Sequence, residues 1–300
     1  MCCDYPNRGT LILALRQHPR ERIRWREAAL ASARRLKNRN AESVHHANLG
    51  IALSSLGEYR RALEHYKQSL AIAREIGDRE GESRVLGNLG NVYGNLGESR
   101  RAIGYLERQL AIAREIGDRY GEGNAFGNLG NIYGALEKPA RAIEYYDQSL
   151  AIAREISDRQ GEGTALGNLG NIYGSLGERR RAIDYYNQSL LIARELGDRH
   201  DEAQVLSGLG TAYHSLGEFL QAIEYYEQSL SVAREIGERK GEGAALFNVG
   251  SVSYLLGERK KAIEYATPAL QVFEEVASPL AKMVRGEIEK WQTSADTARR

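Results

Sequence analysis

Apolar residues recur along this chain at helical spacing, and the whole pattern returns every 40 residues. In the stretch 80–117, Leu86, Leu89, Gly90 and Tyr93 fall on one side of a helix turning about 100° per residue. After Leu96-Gly97 a second stripe follows: Ala102, Ile103, Leu106, Leu110, Ala113 and Ile116. That stripe is broad enough for a helix covered on more than one side. Asp78 can cap the first helix, and Glu82 puts negative charge in its first turn, where the helix dipole favours it. Gly97 and Gly117 supply the left-handed residues that end the two helices. The spacing therefore predicts a helical hairpin, helix A then helix B.

The phrase GNLGNVYG at 87–94 returns as GNLGNIYG at 127–134 and 167–174, with worn copies at 47–54, 207–214 and 247–254. Six units follow from it, at roughly 40–77, 80–117, 120–157, 160–197, 200–237 and 240–277. Residues 1–9 are expected to fray. Residues 10–38 read as a degenerate first repeat or cap, because Ile23, Leu30, Ala33 and Leu36 match Leu63, Leu70, Ala73 and Ile76 one period on. A capping helix without the pattern is expected over 279–298. Each hairpin leaves apolar surface that only a neighbouring hairpin can cover, so the expected fold is an all-α solenoid of antiparallel helix pairs. One unit departs: Glu137 stands where the others carry glycine and Pro139 follows, so the turn is expected to be rebuilt with Pro139 opening helix B. Glu75 and Arg79 are four apart, but Gly77 lies between them and little is expected of that pair.

The spacing Leu86-x₂-Leu89-Gly90-x₂-Tyr93, then Ala102-x₃-Leu106, resembles the tetratricopeptide repeat, with leucine in place of its tryptophan. The usual repeat has about 34 residues. The 40-residue variant here, with its GNLGNxY and REIGDRxGEG phrases, is similar to the repeats of Partner-of-Inscuteable-type scaffolds and of bacterial signalling proteins. The resemblance implies a right-handed superhelix of helix pairs whose A helices line a concave face that holds an extended peptide.

The side of helix A opposite its buried stripe carries Arg84, Asn88, Asn91 and Asn95 in one unit. Over all six units those four places hold ten asparagines in 24 residues and one charge, Arg84, where the chain's 27% charged content would give about six. Asparagine is a poor helix former. A carboxamide carries both donor and acceptor, which suits the main chain of an extended peptide. The candidate peptide-binding residues are Asn48, Arg84, Asn88, Asn91, Asn95, Asn124, Asn128, Asn131, Asn168, Asn171, His214, Asn248 and Tyr254. The same amides could instead bond the backbones of adjacent A helices or each other, as cement between repeats. Phe247, Tyr254 and Leu255 could form a pocket for an apolar anchor residue or pack on the closing helix, and Arg84 is expected to pair with a ligand carboxylate. The glycines at 87, 90 and 94 are expected to admit close helix approach. In Tyr145-Tyr146, Tyr185-Tyr186 and Tyr225-Tyr226, one ring should be core and the other border.

Composition narrows the partners. Lys+Arg (41) and Asp+Glu (40) nearly cancel, which argues against a nucleic-acid binder. No apolar run approaches the ~18 residues of a membrane span, and the first residues lack a signal-peptide pattern, so a cytoplasmic protein is expected. Cys2 and Cys3 cannot staple a fold. No phosphate-loop, zinc-protease, C-x-x-C or G-x-S-x-G signature is present, and the six histidines do not form a metal cluster, so no catalytic residue, metal or cofactor is expected. The sequence reads as a monomeric interaction scaffold or adaptor for a protein or peptide in extended conformation. The alternative is the sensor or regulatory arm of a larger multidomain signalling ATPase.

Overall fold

The structure, a computed structural model, describes residues 19–293. The expected frayed segment 1–9, the cysteine pair, the first part of the degenerate repeat and residues 294–298 lie outside the described residues. Fourteen α-helices occupy the described chain. Contacts divide it into two compact units, the first ending at Ile156 and the second beginning at Ser157.

In the first unit, α1 (Pro19–Arg35) precedes three hairpins: α2 (Arg39–Ser55) with α3 (Tyr59–Glu75), α4 (Arg79–Asn95) with α5 (Ser99–Ile116), and α6 (Arg119–Ala135) with α7 (Pro139–Glu155). In the second, α8 (Arg159–Ser175) pairs with α9 (Arg179–Leu196), α10 (Arg199–Leu216) with α11 (Phe219–Ile236), and α12 (Arg239–Leu255) with α13 (Arg259–Glu275). The single helix α14 (Leu280–Thr293) follows. Within each unit every helix packs on its sequence neighbours, and the A helices of successive hairpins also touch: α2 with α4 and α4 with α6, then α8 with α10 and α10 with α12. The A side is therefore the inner face of each stack.

The stripes read from the sequence form the core. Leu86, Leu89, Leu106 and Leu129 are fully buried; each contributes roughly 1.5–3 kcal/mol by area, an upper estimate. The central glycine of helix A admits the side chain sixteen residues on in the same hairpin. A Cβ on Gly90 would lie 2.6 Å from Leu106, and one on Gly170 would lie 2.7 Å from Tyr186. A second repeated device joins the helices. The hydroxyl of a helix-B serine donates to the helix-A carbonyl 26 residues earlier: Ser69 to Ser43, Ser149 to Gly123, Ser189 to Gly163 and Ser229 to Ala203.

Asp78 caps α4 by accepting from the Gly81 N–H at 2.8 Å. Gly97 and Gly117 close α4 and α5 with φ of 75° and 71°. Glu137 corrects an expectation: the turn is not rebuilt, and Glu137 keeps a φ of 54°. Its N–H donates to Gly134 O and that of Lys138 to Tyr133 O, both at 3.0 Å, as Gly97 and Glu98 do one repeat earlier. These two bonds outweigh a left-handed cost of about 1–2 kcal/mol. Pro139 does open α7.

The REIGDRxGE phrase builds an ion-pair chain that simple spacing does not reveal. Glu75 and Arg79 are not each other's partners: Arg39 pairs with Glu75 and Arg79 with Glu115, each 36 residues apart. Glu82, 5% exposed, accepts from Arg74 at 2.7 Å and Arg79 at 2.6 Å. Burial alone would raise its carboxyl; the two guanidinium hydrogen bonds outweigh that and hold it below the usual carboxylate range. Arg114 and Arg119 hold Glu122 in the same way.

Candidate functional site

The side of helix A away from its stripe faces outward on the inner surface of each stack. Arg84, Asn91, Asn95, Asn124 and Asn131 are exposed, and Asn48, Asn88 and Asn128 are half-buried. In the second unit Asn171 is exposed, while Asn168 and Asn248 are half-buried. The α4–α6 contact places two rows of amides beside each other, one on each helix.

The amides fall into two groups. Asn131 accepts a 2.7 Å hydrogen bond from the Tyr146 hydroxyl, and Asn171 accepts the same bond from Tyr186. Burial pushes both tyrosines up to about 12, so they stay neutral donors. Thr211 meets Tyr226 at the equivalent place. These amide oxygens therefore cement helix A to helix B. Asn88, Asn128 and Asn168 differ: among the described residues no protein group bonds their carboxamides.

Cavities open where one A helix meets the next. One of about 140 Å³ is lined by Thr164, Asn168, Asn171 and Gln204. Another of about 460 Å³ reaches from Asn171 to Gly208 and Ser215. Gly208 replaces the asparagine of the other repeats, and a Cβ there would lie 2.8 Å from Tyr186. A third, also about 460 Å³, lies in the first unit between α4, α5 and α6 and brings together Arg84, Gln109 and Asn124.

Several predicted residues sit differently from expectation. Of the two placements the sequence leaves open for Tyr254 and Phe247, the closing helix is the one taken: Tyr254 stacks on Trp291 of α14 with ring centroids 5.0 Å apart, and Phe247 lies 6.1 Å from the same ring. These two rings help bury the Trp291 indole, which is 4% exposed, so both serve the closing helix, and Leu255 alone of the three stays exposed. His214 tilts against Phe219 at the start of α11, 5.8 Å between centroids. Arg84 has its own counter-charge, Glu80, at 3.4 Å on the exposed helix surface. The sequence passes over Gln109, which replaces the helix-B serine of its neighbours and lies buried beneath the third cavity. The signal was RQL at 108–110, where the units on either side carry QSL.

The tyrosine pairs divide as their spacing predicts. Tyr146, Tyr186 and Tyr226 are buried, and Tyr145, Tyr185 and Tyr225 stack on Tyr133, Tyr173 and Tyr213. Among the described residues no three His, Cys, Asp or Glu side chains are grouped to hold a metal ion, and no helix is long and apolar enough to cross a membrane.

No curated protein matches the chain in sequence. Solved structures do match in fold. A signal transduction ATPase with numerous domains (STAND) protein with a tetratricopeptide repeat sensor, from Pyrococcus horikoshii, superposes with a TM-score of 0.73 at 20% identity over 87% of this chain, which spans 39% of that protein. BtubC (BKLC) from P. vanneervenii gives 0.64 at 23% identity, covering 74% of this chain and 93% of its own. A Rap protein complexed with competence and sporulation factor gives 0.65 at 15% identity, covering 89% and 80%. The family profile described as tetratricopeptide repeat matches five overlapping windows, 40–115, 81–155, 121–195, 161–235 and 201–275. With those windows spanning all six hairpins, the chain belongs to the tetratricopeptide repeat family.

Proposed function

We propose that this chain is a protein-interaction scaffold whose A-helix faces hold an extended peptide by its main chain. One observation carries the reading: among the described residues the half-buried carboxamides of Asn88 and Asn128 in the first unit, and of Asn168 in the second, have no protein partner, although they hold the same place in their repeats. An amide held in a helix against its propensity, and left unused by the fold, is a preset donor–acceptor pair for a ligand. The helices are formed beforehand, so the ordering cost falls on the peptide. The Rap protein with a similar fold, solved with competence and sporulation factor, is in keeping with this use of the array.

The test is a peptide display selection against the array, repeated on the Asn88→Ala, Asn128→Ala, Asn168→Ala triple variant. Peptide affinity should fall at least tenfold while the melting temperature stays within about 2 °C of the parent, as expected when surface groups are removed. Equal binding by a normally folded triple variant would refute the groove. A large drop in melting temperature without ligand would assign these amides to cement.

A second reading has one observation behind it: the STAND protein carries a similar array as its sensor within a chain of which this one covers 39%. On that reading the array packs on an effector domain of its own protein. The full-length transcript decides between them.

A further inference from the structure

The cavity between α4, α5 and α6 contains two buried polar groups that the fold leaves unsatisfied. Gln109 is 5% exposed and Ser83 is 2% exposed. Among the described residues neither the Gln109 amide oxygen nor the Ser83 hydroxyl has a hydrogen-bond partner, and both residues line the cavity of about 460 Å³. A buried polar group left unmade costs roughly 1–3 kcal/mol, so two at one spot need a reason.

The neighbouring repeats show how the same place is normally closed. One period earlier Ser43 and Ser69 bond each other at 3.1 Å, and Ser69 also donates to Ser43 O. One period later Ser149 donates to Gly123 O. Gln109 replaces that serine and makes no such bond. Its amide lies over Gly87, where a Cβ would come within 2.7 Å of the Gln109 oxygen. Glycine at 87 thus lets the longer side chain stay in the cavity floor, with Asn124 and Arg84 on the walls.

We infer that this cavity is a side-chain pocket for an uncharged carboxamide, an asparagine or glutamine of the bound peptide. A ligand amide can donate to the Gln109 oxygen while accepting from the Gln109 nitrogen, and the Ser83 hydroxyl turns to either partner. The charges on the walls disfavour a carboxylate: Arg84 is paired with Glu80 at 3.4 Å, and Asp118 adds a second negative group. The exposed Tyr120 ring supplies a wall for the methylene stem. Amide recognition of this kind is selective because an acid or hydrocarbon in the same place leaves the buried groups unpaired. The inference deepens the peptide-binding reading and rests on it for the ligand being a peptide.

The test uses two arms. In the first, N-acetyl-glutamine methylamide is titrated into the full chain and followed by the backbone amide NMR signals of Ser83, Gly87 and Asn124, which parent and variant share. Those signals should move and saturate, N-acetyl-glutamate methylamide should bind at least about tenfold more weakly, and Gln109→Ser should abolish the response. Serine is the residue found at 69, 149, 189 and 229, so this variant retains the fold. No movement, equal binding of the acid, or a response that survives Gln109→Ser overturns the pocket. In the second arm, display selections on parent and Gln109→Ser should differ in one position, where Asn or Gln is enriched only by the parent; identical profiles overturn the pocket. A selection that yields no peptide, beside a positive amide titration, upholds the pocket and removes the groove reading alone.

Discussion

At the scale of residues, the first unit holds two histidines joined by a hydrogen bond. Arg34 approaches His46 Nε2 at 3.0 Å, so that nitrogen must accept, and the ring proton sits on Nδ1. His46 Nδ1 then donates to His65 Nδ1, 3.0 Å away. His46 is 3% exposed. Burial first, then His65 and Arg34, lowers its pKa to about 4. The sign follows: below the ordinary value near 6.5 the unfolded chain takes up a proton that the native ring refuses, so stability falls as pH drops from about 6.5 to 4. The loss from this ring should approach about 3 kcal/mol at the low end. Urea titrations at pH 7 and pH 4.5 on the parent and on His46→Gln measure it. The variant's deficit at pH 7 should shrink or reverse at pH 4.5, and a deficit constant with pH would show that His46 titrates normally. Gln109, by contrast, carries no charge to titrate, and its unmet amide marks a site by hydrogen-bond capacity alone.

At the scale of elements, two kinds of ion pair occupy one chain of contacts, and burial decides which matters. Glu82 sits under two arginines, and its oxygens are almost entirely removed from water. Glu115 pairs with Arg79 in the open, with 57% of its side chain exposed. Exposed pairs contribute between nothing and about 1 kcal/mol, whereas removing one member of a buried group strands the others. Glu82→Ala should therefore cost about 2–3 kcal/mol and Glu115→Ala roughly 0.5 kcal/mol, read as urea midpoints at unchanged m-value. One molar salt should erase the second difference and leave most of the first. Equal costs for the two would mean that the partly exposed Arg74 and Arg79 re-solvate freely once Glu82 is gone. The left-handed glycines and Glu137 act at the same scale: they fix where each helix stops, and with it which arginine meets which glutamate.

At the scale of the whole molecule, the period, the hairpins and the charge-poor face are legible because each rests on spacing within one helix or one repeat. Leu86, Gly90 and Tyr93 need only 100° per residue to be read. Arg79–Glu115 was not legible, since its 36-residue reach depends on the angle between two helices. Gln109 was hidden for a different reason: replacing one serine by glutamine looks like wear until the empty bond to Ser83 is seen. For Tyr254 the sequence leaves groove and closing helix both open, because α14 lacks the repeat pattern and the period does not set its register; in the structure Trp291 covers the ring. That cover has a consequence peculiar to stacked repeats, where stability is a sum of hairpins and nearest-neighbour interfaces. Trp291→Ala uncovers Phe247 and Tyr254 and removes a ring that is itself 4% exposed, at about 3–5 kcal/mol. The loss should stay local. Hydrogen exchange should quicken in α12 and α13, which contact α14 directly or through one interface, while α8 and α9 keep their protection. A uniform loss across α8–α13 would instead make this unit one cooperative block, with its end helix acting as part of the core rather than as its cap.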